Sequence, residues 1–178
     1  MEAQKALSAE KYILSEIDEA FLQKVLTPYR QHCHYLKKAV FQQEEEQGVQ
    51  GLIIKGEFAI GDSCYIDDTG HFNAVEYNIC YNQIAYLHLG YCIKNNLIPE
   101  LSVFDIDSYF EKQLSNFLIA RISSSYQSQL NAKHFHGTFG ISAIKRTAKC
   151  TFINTYCYFN DDKTGTSKGE VTLAVLHP

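Results

Sequence analysis

From Tyr77 to Ile93 the chain carries no Asp, Glu, Lys or Arg, and this narrows its folding options more than any other stretch. The run is close to the length needed to span a bilayer, but Asn78, Asn82, Gln83 and His88 would be costly in lipid. A helix buried within a water-soluble protein satisfies both facts. Just ahead, Asn73 and Glu76 have the N-x-x-E spacing of a capping box, which predicts a central helix over 73–94. At 3.6 residues per turn, Val75, Ile79, Asn82, Tyr86, Leu89 and Ile93 share one stripe, and Tyr77, Cys80, Tyr81 and Ile84 lie opposite. Such a helix, apolar nearly all round, is enclosed by its own protein or by a partner subunit.

The remaining elements follow from periodicity and turn chemistry. Residues 8–25 predict a helix capped by Ser8, with Ile13, Ile17, Phe21 and Val25 on one face, so 1–28 reads as an N-terminal helical segment ended by Pro28. Strands are expected at 31–42 and 51–60, the second alternating Leu52, Ile54, Gly56, Phe58 and Ile60 against Ile53, Lys55, Glu57 and Ala59. After a short helical turn at 107–114, strands are expected near 116–126, 134–147, 149–160 and 167–176, with Asp161-Asp162-Lys163-Thr164-Gly165 turning between the last two. No linker or repeat divides the chain, so residues 1–178 are expected to form one α+β domain. A curved antiparallel β-sheet wrapped around the long central α-helix, with the N-terminal helix added, is the layout called the hotdog fold.

Charge and cysteines exclude some functions. With 16 Lys+Arg against 20 Asp+Glu, the formal charge is −4, so no basic footprint for nucleic acid exists. The segment Met1–Leu22 mixes charges with its apolar residues and does not read as an export signal. Cys33, Cys64, Cys80, Cys92, Cys150 and Cys157 form no CxxC pair, so reduced thiols in a cytoplasmic protein without a membrane span are expected.

The run Ile60-Gly61-Asp62-Ser63-Cys64-Tyr65-Ile66, then Thr69-Gly70-His71-Phe72-Asn73-Ala74-Val75-Glu76 and Cys80-Tyr81-Asn82-Gln83, resembles the FcoT-type family of hotdog acyl-thioester enzymes. Leu26-Thr27-Pro28-Tyr29 and the closing Lys168-Gly169-Glu170-Val171-Thr172-Leu173-Ala174 extend the resemblance over nearly the whole chain after the first helix. It departs at Tyr77 and Asn78, where apolar residues are expected. The resemblance implies a homodimer or larger homo-oligomer acting on long-chain acyl-coenzyme A or acyl carrier protein (ACP) thioesters, with no cofactor. It also implies a site of Tyr and Asn side chains, matched here by Tyr29, Tyr65, Asn73 and Asn82. Thioester hydrolysis is the activity expected first. The alternatives are glycine addition to a (2E)-enoyl-ACP, releasing the N-carboxymethyl-3-amino fatty acid of isonitrile lipopeptide pathways, and acyl binding without catalysis.

Each candidate has a plainer explanation beside the catalytic one. A helix N-terminus suits a developing oxyanion, yet Asn73 and Glu76 are also explained as a cap. Asn82 interrupts the apolar stripe, and a buried amide left without a hydrogen bond costs about 1–3 kcal/mol; it is either satisfied by neighbours or reserved for a ligand. Asn78 flanks it one turn earlier, with a structural role or a place in substrate binding. His71 is the natural general base of the motif, because imidazole titrates near neutral pH, or it is a loop histidine bonded to backbone. Arg121 is a candidate for a substrate phosphate or for glycine's carboxylate, with Lys55 beside it for the latter. His32-Cys33-His34 and His134-Phe135-His136 each place two imidazoles on one strand face, but no carboxylate cluster accompanies them in sequence, so no metal is expected. No nucleophile elbow, P-loop or dinucleotide fingerprint occurs.

Overall fold

A computed structural model describes residues 12–67 and 70–178. Seven antiparallel strands form one sheet: β1 (Tyr12–Glu16), β2 (Leu36–Glu44), β3 (Leu52–Phe58), β4 (Phe117–Ser128), β5 (Phe135–Arg146), β6 (Cys150–Asn160) and β7 (Thr166–Leu176), in the order β1-β2-β3-β5-β6-β7-β4. Helices α1 (Glu19–Leu26), α2 (Ala74–Lys94) and α3 (Ile106–Asn116) complete the fold. The chain has the α+β hotdog architecture, with α2 laid along the concave face of the sheet.

Alternation decides which strand residues meet α2. On β6, Thr151, Ile153, Thr155, Cys157 and Phe159 are buried while Phe152, Asn154 and Tyr158 are exposed, the period-2 pattern of a sheet covered on one face. From α2, Tyr77, Cys80, Tyr81, Ile84, Leu87 and His88 are fully buried. The Tyr81 and Thr155 hydroxyls are hydrogen-bonded at 2.8 Å, and Tyr77 donates to the Cys157 carbonyl at 3.0 Å. At its C-terminal half, α2 is covered by α1 and α3. Gly90 permits this approach, because a Cβ there would stand 2.8 Å from the Tyr109 ring.

The expected elements are present except at the N-terminus. The helix expected over 8–25 is replaced by β1 followed by α1, which is capped by Asp18 accepting from Phe21 N at 3.0 Å; Ser8 lies outside the described residues. Residues 12–16 pair with 40–44 of β2, whose edge would otherwise be open. Ile13 is 51% exposed, so its four-residue spacing from Ile17 does not mark a core face. Residues 31–33 form a 3-10 turn rather than the start of a strand. All six cysteines are unpaired. No helix among the described residues is long and apolar enough to cross a membrane.

Candidate functional site

The start of α2 carries three of the expected polar residues, Asn73, Glu76 and Asn78. Asn73 is the N-cap: its Oδ1 accepts from Val75 N at 2.9 Å and Glu76 N at 3.2 Å, and the Glu76 carboxylate accepts from Asn73 N at 3.3 Å. The Asn73, Val75 and Glu76 amides are therefore occupied by the helix's own capping box. Glu76, only 2% exposed, completes the capping box. These two residues stabilise the helix start. His71 stands exposed just ahead of it.

Asn78 and Asn82, one turn apart, fall about 40° from each other around the helix axis and occupy a flank that the sheet does not cover. Val75 is exposed there, and Asn78, Ile79, Asn82 and Tyr86 are half-buried. The half-buried Asn82 makes no hydrogen bond with the described residues, and the buried Asn78 Oδ1 has no partner among them. Tyr126 of β4 meets Tyr77 edge-to-face at 6.1 Å, so the inward side of β4 packs against the sheet-facing side of α2. Ile122 and Tyr126 remain about two-fifths exposed, at 42% and 41%. β4 has one strand neighbour, β7. On α2, an apolar stripe carrying two amides is thus left partly uncovered by the described residues.

Tyr29 follows α1 in a tight turn and is half-buried. Burial, reinforced by Tyr86 and Cys80, pushes its phenol well above the usual range, so it remains a hydrogen-bond donor at any working pH. Tyr65 is 48% exposed in the irregular segment 61–67. Among the described residues, the Tyr35 hydroxyl tethers that segment by donating to the Asp62 carbonyl at 3.1 Å, as does the Lys133 ammonium by donating to the Gly61 carbonyl at 2.7 Å.

Arg121 lies elsewhere. It pairs with Thr172 and lines a cavity of about 520 Å³ with Ser123, Asn154, Tyr156 and Glu170, on the sheet face opposite α2. Lys55 also faces outward, away from Ile54 and Gly56. Neither cation shares a face with Asn82.

Sequence reasoning passed over Gln83 and Ser63. Gln83 is fully buried: its Oε1 accepts from Tyr35 N at 3.0 Å and Leu36 N at 2.9 Å, and its Nε2 donates to the Cys33 carbonyl at 2.6 Å. It pins the start of β2 to α2, and through Tyr35 it supports the segment that carries Tyr65. Ser63 Oγ is buried without a partner among the described residues, and nothing in the sequence distinguishes it from a loop serine.

The FcoT-like thioesterase domain model matches residues 24–175. A Streptomyces coeruleorubidus protein named (2E)-enoyl-[ACP] glycyltransferase is 36% identical over 165 residues, covering 90% of this chain and 98% of that one. A Mycobacterium tuberculosis protein of the same name is also 36% identical over 165 residues, covering 90% of this chain and 88% of that one. Among solved structures, a mutant thioesterase from Pseudomonas aeruginosa is similar with a TM-score of 0.42 and 12% identity, over 70% of this chain and 73% of that one. The names of the two relatives overturn plain thioester hydrolysis as the first expectation, because both describe transfer of glycine to an enoyl group. With the family match spanning most of its length and relatives aligned almost end to end, this chain belongs to the FcoT-like thioesterase domain family.

Proposed function

We propose that the protein adds glycine to a (2E)-enoyl thioester carried on ACP and releases the N-carboxymethyl-3-amino fatty acid, working as a homodimer whose second copy covers the partly exposed stripe of α2. The glycine amine forms a bond to the β-carbon, and the π-electrons of the alkene shift toward the thioester, leaving an enolate oxygen. A proton from the new ammonium is delivered to the α-carbon. Water then cleaves the thioester, freeing the acid and the carrier thiol.

Negative charge builds on the thioester oxygen in both stages, so preorganised neutral donors serve each of them. Asn82 supplies its amide, and Tyr29 and Tyr65 supply phenols; the raised Tyr29 keeps its proton throughout. His71 takes the first proton from glycine's ammonium. Glycine's carboxylate needs a cation on the α2 side of the sheet, and we assign it to Arg30, which is exposed, follows Tyr29 and acts electrostatically on Cys33. The observation that carries this reading is Asn82, a half-buried amide that interrupts the apolar stripe of α2 and makes no hydrogen bond with the described residues. The test is incubation of enoyl-ACP with isotopically labelled glycine. A released acid bearing the label is expected; free enoic acid without label would refute the reading.

A further inference from the structure

The sequence separates His134 and His136 from Asp162, but the fold gathers them. Phe135, fully buried and stacked on Phe58 with ring centroids 5.2 Å apart, forces both flanking imidazoles to the outer side of the sheet. His136 pairs with Asn160 at the end of β6, so the turn that follows rises beside it. Asp161 fixes that turn: its Oδ1 accepts from Lys163 N and Gly165 N, each at 2.9 Å, and its Oδ2 accepts from Asn131 N at 3.0 Å. Asp162 is thereby left facing the two histidines.

His136 Nε2 stands 3.2 Å from Asp162 Oδ1 and His134 Nε2 3.6 Å from Asp162 Oδ2. One ligand atom from each residue lies within 4.8 Å of the others. A tetrahedral zinc ion with bonds of about 2.0–2.1 Å sets its ligand atoms about 3.3 Å apart, and the His136 Nε2–Asp162 Oδ1 separation already matches that length. Two imidazoles and one carboxylate suit Zn²⁺, Co²⁺ or Ni²⁺ rather than Mg²⁺ or Ca²⁺. The side chains, 56%, 38% and 69% exposed, leave a further position open to water.

We propose that His134, His136 and Asp162 form a binding site for one divalent transition-metal ion, which clips the turn between β6 and β7 to the start of β5. The clip adjoins Lys133, whose ammonium holds Gly61, and so braces the segment bearing Tyr65. The test uses metal-free, tag-free full-length protein titrated with Co²⁺ by visible absorption and with Zn²⁺ by competition, followed by thermal melts with and without Zn²⁺. One equivalent per chain and a Zn²⁺-dependent rise in Tm are expected. His134→Ala and Asp162→Ala should each weaken binding by about tenfold or more and abolish the rise, while His32→Ala changes neither. Absence of binding, or undiminished affinity in His134→Ala and Asp162→Ala, would overturn the site.

Discussion

Replacing Gln83 with Leu leaves a side chain of similar reach on α2 but removes three buried hydrogen bonds, to Tyr35 N, Leu36 N and the Cys33 carbonyl. The losses are unequal. Tyr35 N and the Cys33 carbonyl still bond each other at 3.0 Å, so each loses only a second partner, at about 1 kcal/mol apiece. Leu36 N loses its side-chain acceptor in a buried setting, which costs about 1–3 kcal/mol. The sum, about 3–5 kcal/mol, is a large share of the roughly 5–15 kcal/mol that holds a domain folded. Urea unfolding followed by far-UV circular dichroism should show a midpoint shifted well down with an unchanged slope. Because Tyr35 also holds Asp62, turnover below the melting range should fall as well. A loss of stability under about 1 kcal/mol would mean that β2 does not depend on this amide, and the proposed link from α2 to Tyr65 would fail with it.

Asn82→Leu removes an amide with no partner among the described residues, so stability should hold or rise while glycine-transfer turnover falls about tenfold or more, near 1.4 kcal/mol of lost transition-state binding; an unaltered rate would take Asn82 out of the mechanism. Arg30→Ala should raise the KM for glycine and leave that for enoyl-ACP nearly constant, whereas Lys55→Ala and Arg121→Ala on the opposite sheet face should change neither; the reverse ranking in steady-state kinetics would relocate the carboxylate site. His88, buried between Phe41 and Phe139 and donating to the Leu52 carbonyl at 2.8 Å, is pushed by desolvation from 6.5 down to about 4. The unfolded chain binds that proton more readily, so stability is complete above pH about 6.5 and declines as pH falls toward about 4, by about 3 kcal/mol for this group. His88→Gln should flatten that part of the pH–stability curve; an undiminished slope would place the acid sensitivity elsewhere.

What the sequence disclosed was local, and what it withheld was long-range. The start of α2 needed only Asn73 and Glu76, three residues apart, and the strands needed only alternation, so both were legible. The N-terminal segment misled because Ile13 and Ile17 are spaced like helix neighbours, while the demand they answer comes from the open edge of β2. Arg121 failed for a subtler reason. Ile119 pairs with the inward Leu173, and strict alternation would put Arg121 on the same face; a bulge between them pairs Arg121 with the outward Thr172 instead, since one extra residue reverses the facing of everything after it. Asp162 and the partners of Gln83 were out of reach for the same reason, being brought in by strand pairing and helix docking rather than by spacing.

The choice between hydrolysis and glycine addition is a different kind of illegibility. Tetrahedral attack by water on a thioester and conjugate attack by an amine on its enoyl β-carbon both end with charge on the same oxygen, so the same amides and phenols stabilise either. Donor identity therefore cannot separate the reactions; the distance from the donors to the incoming nucleophile can. An amine bound for the β-carbon must approach two bonds farther along the acyl chain than water bound for the carbonyl, and its carboxylate must be anchored beyond that point. The specificity of the site should thus reside in the anchoring cation and in the shape of the surface around the α2 stripe that carries Asn82. Substitutions there should convert a glycine-adding enzyme into a slow hydrolase sooner than any change to Asn82 or Tyr29.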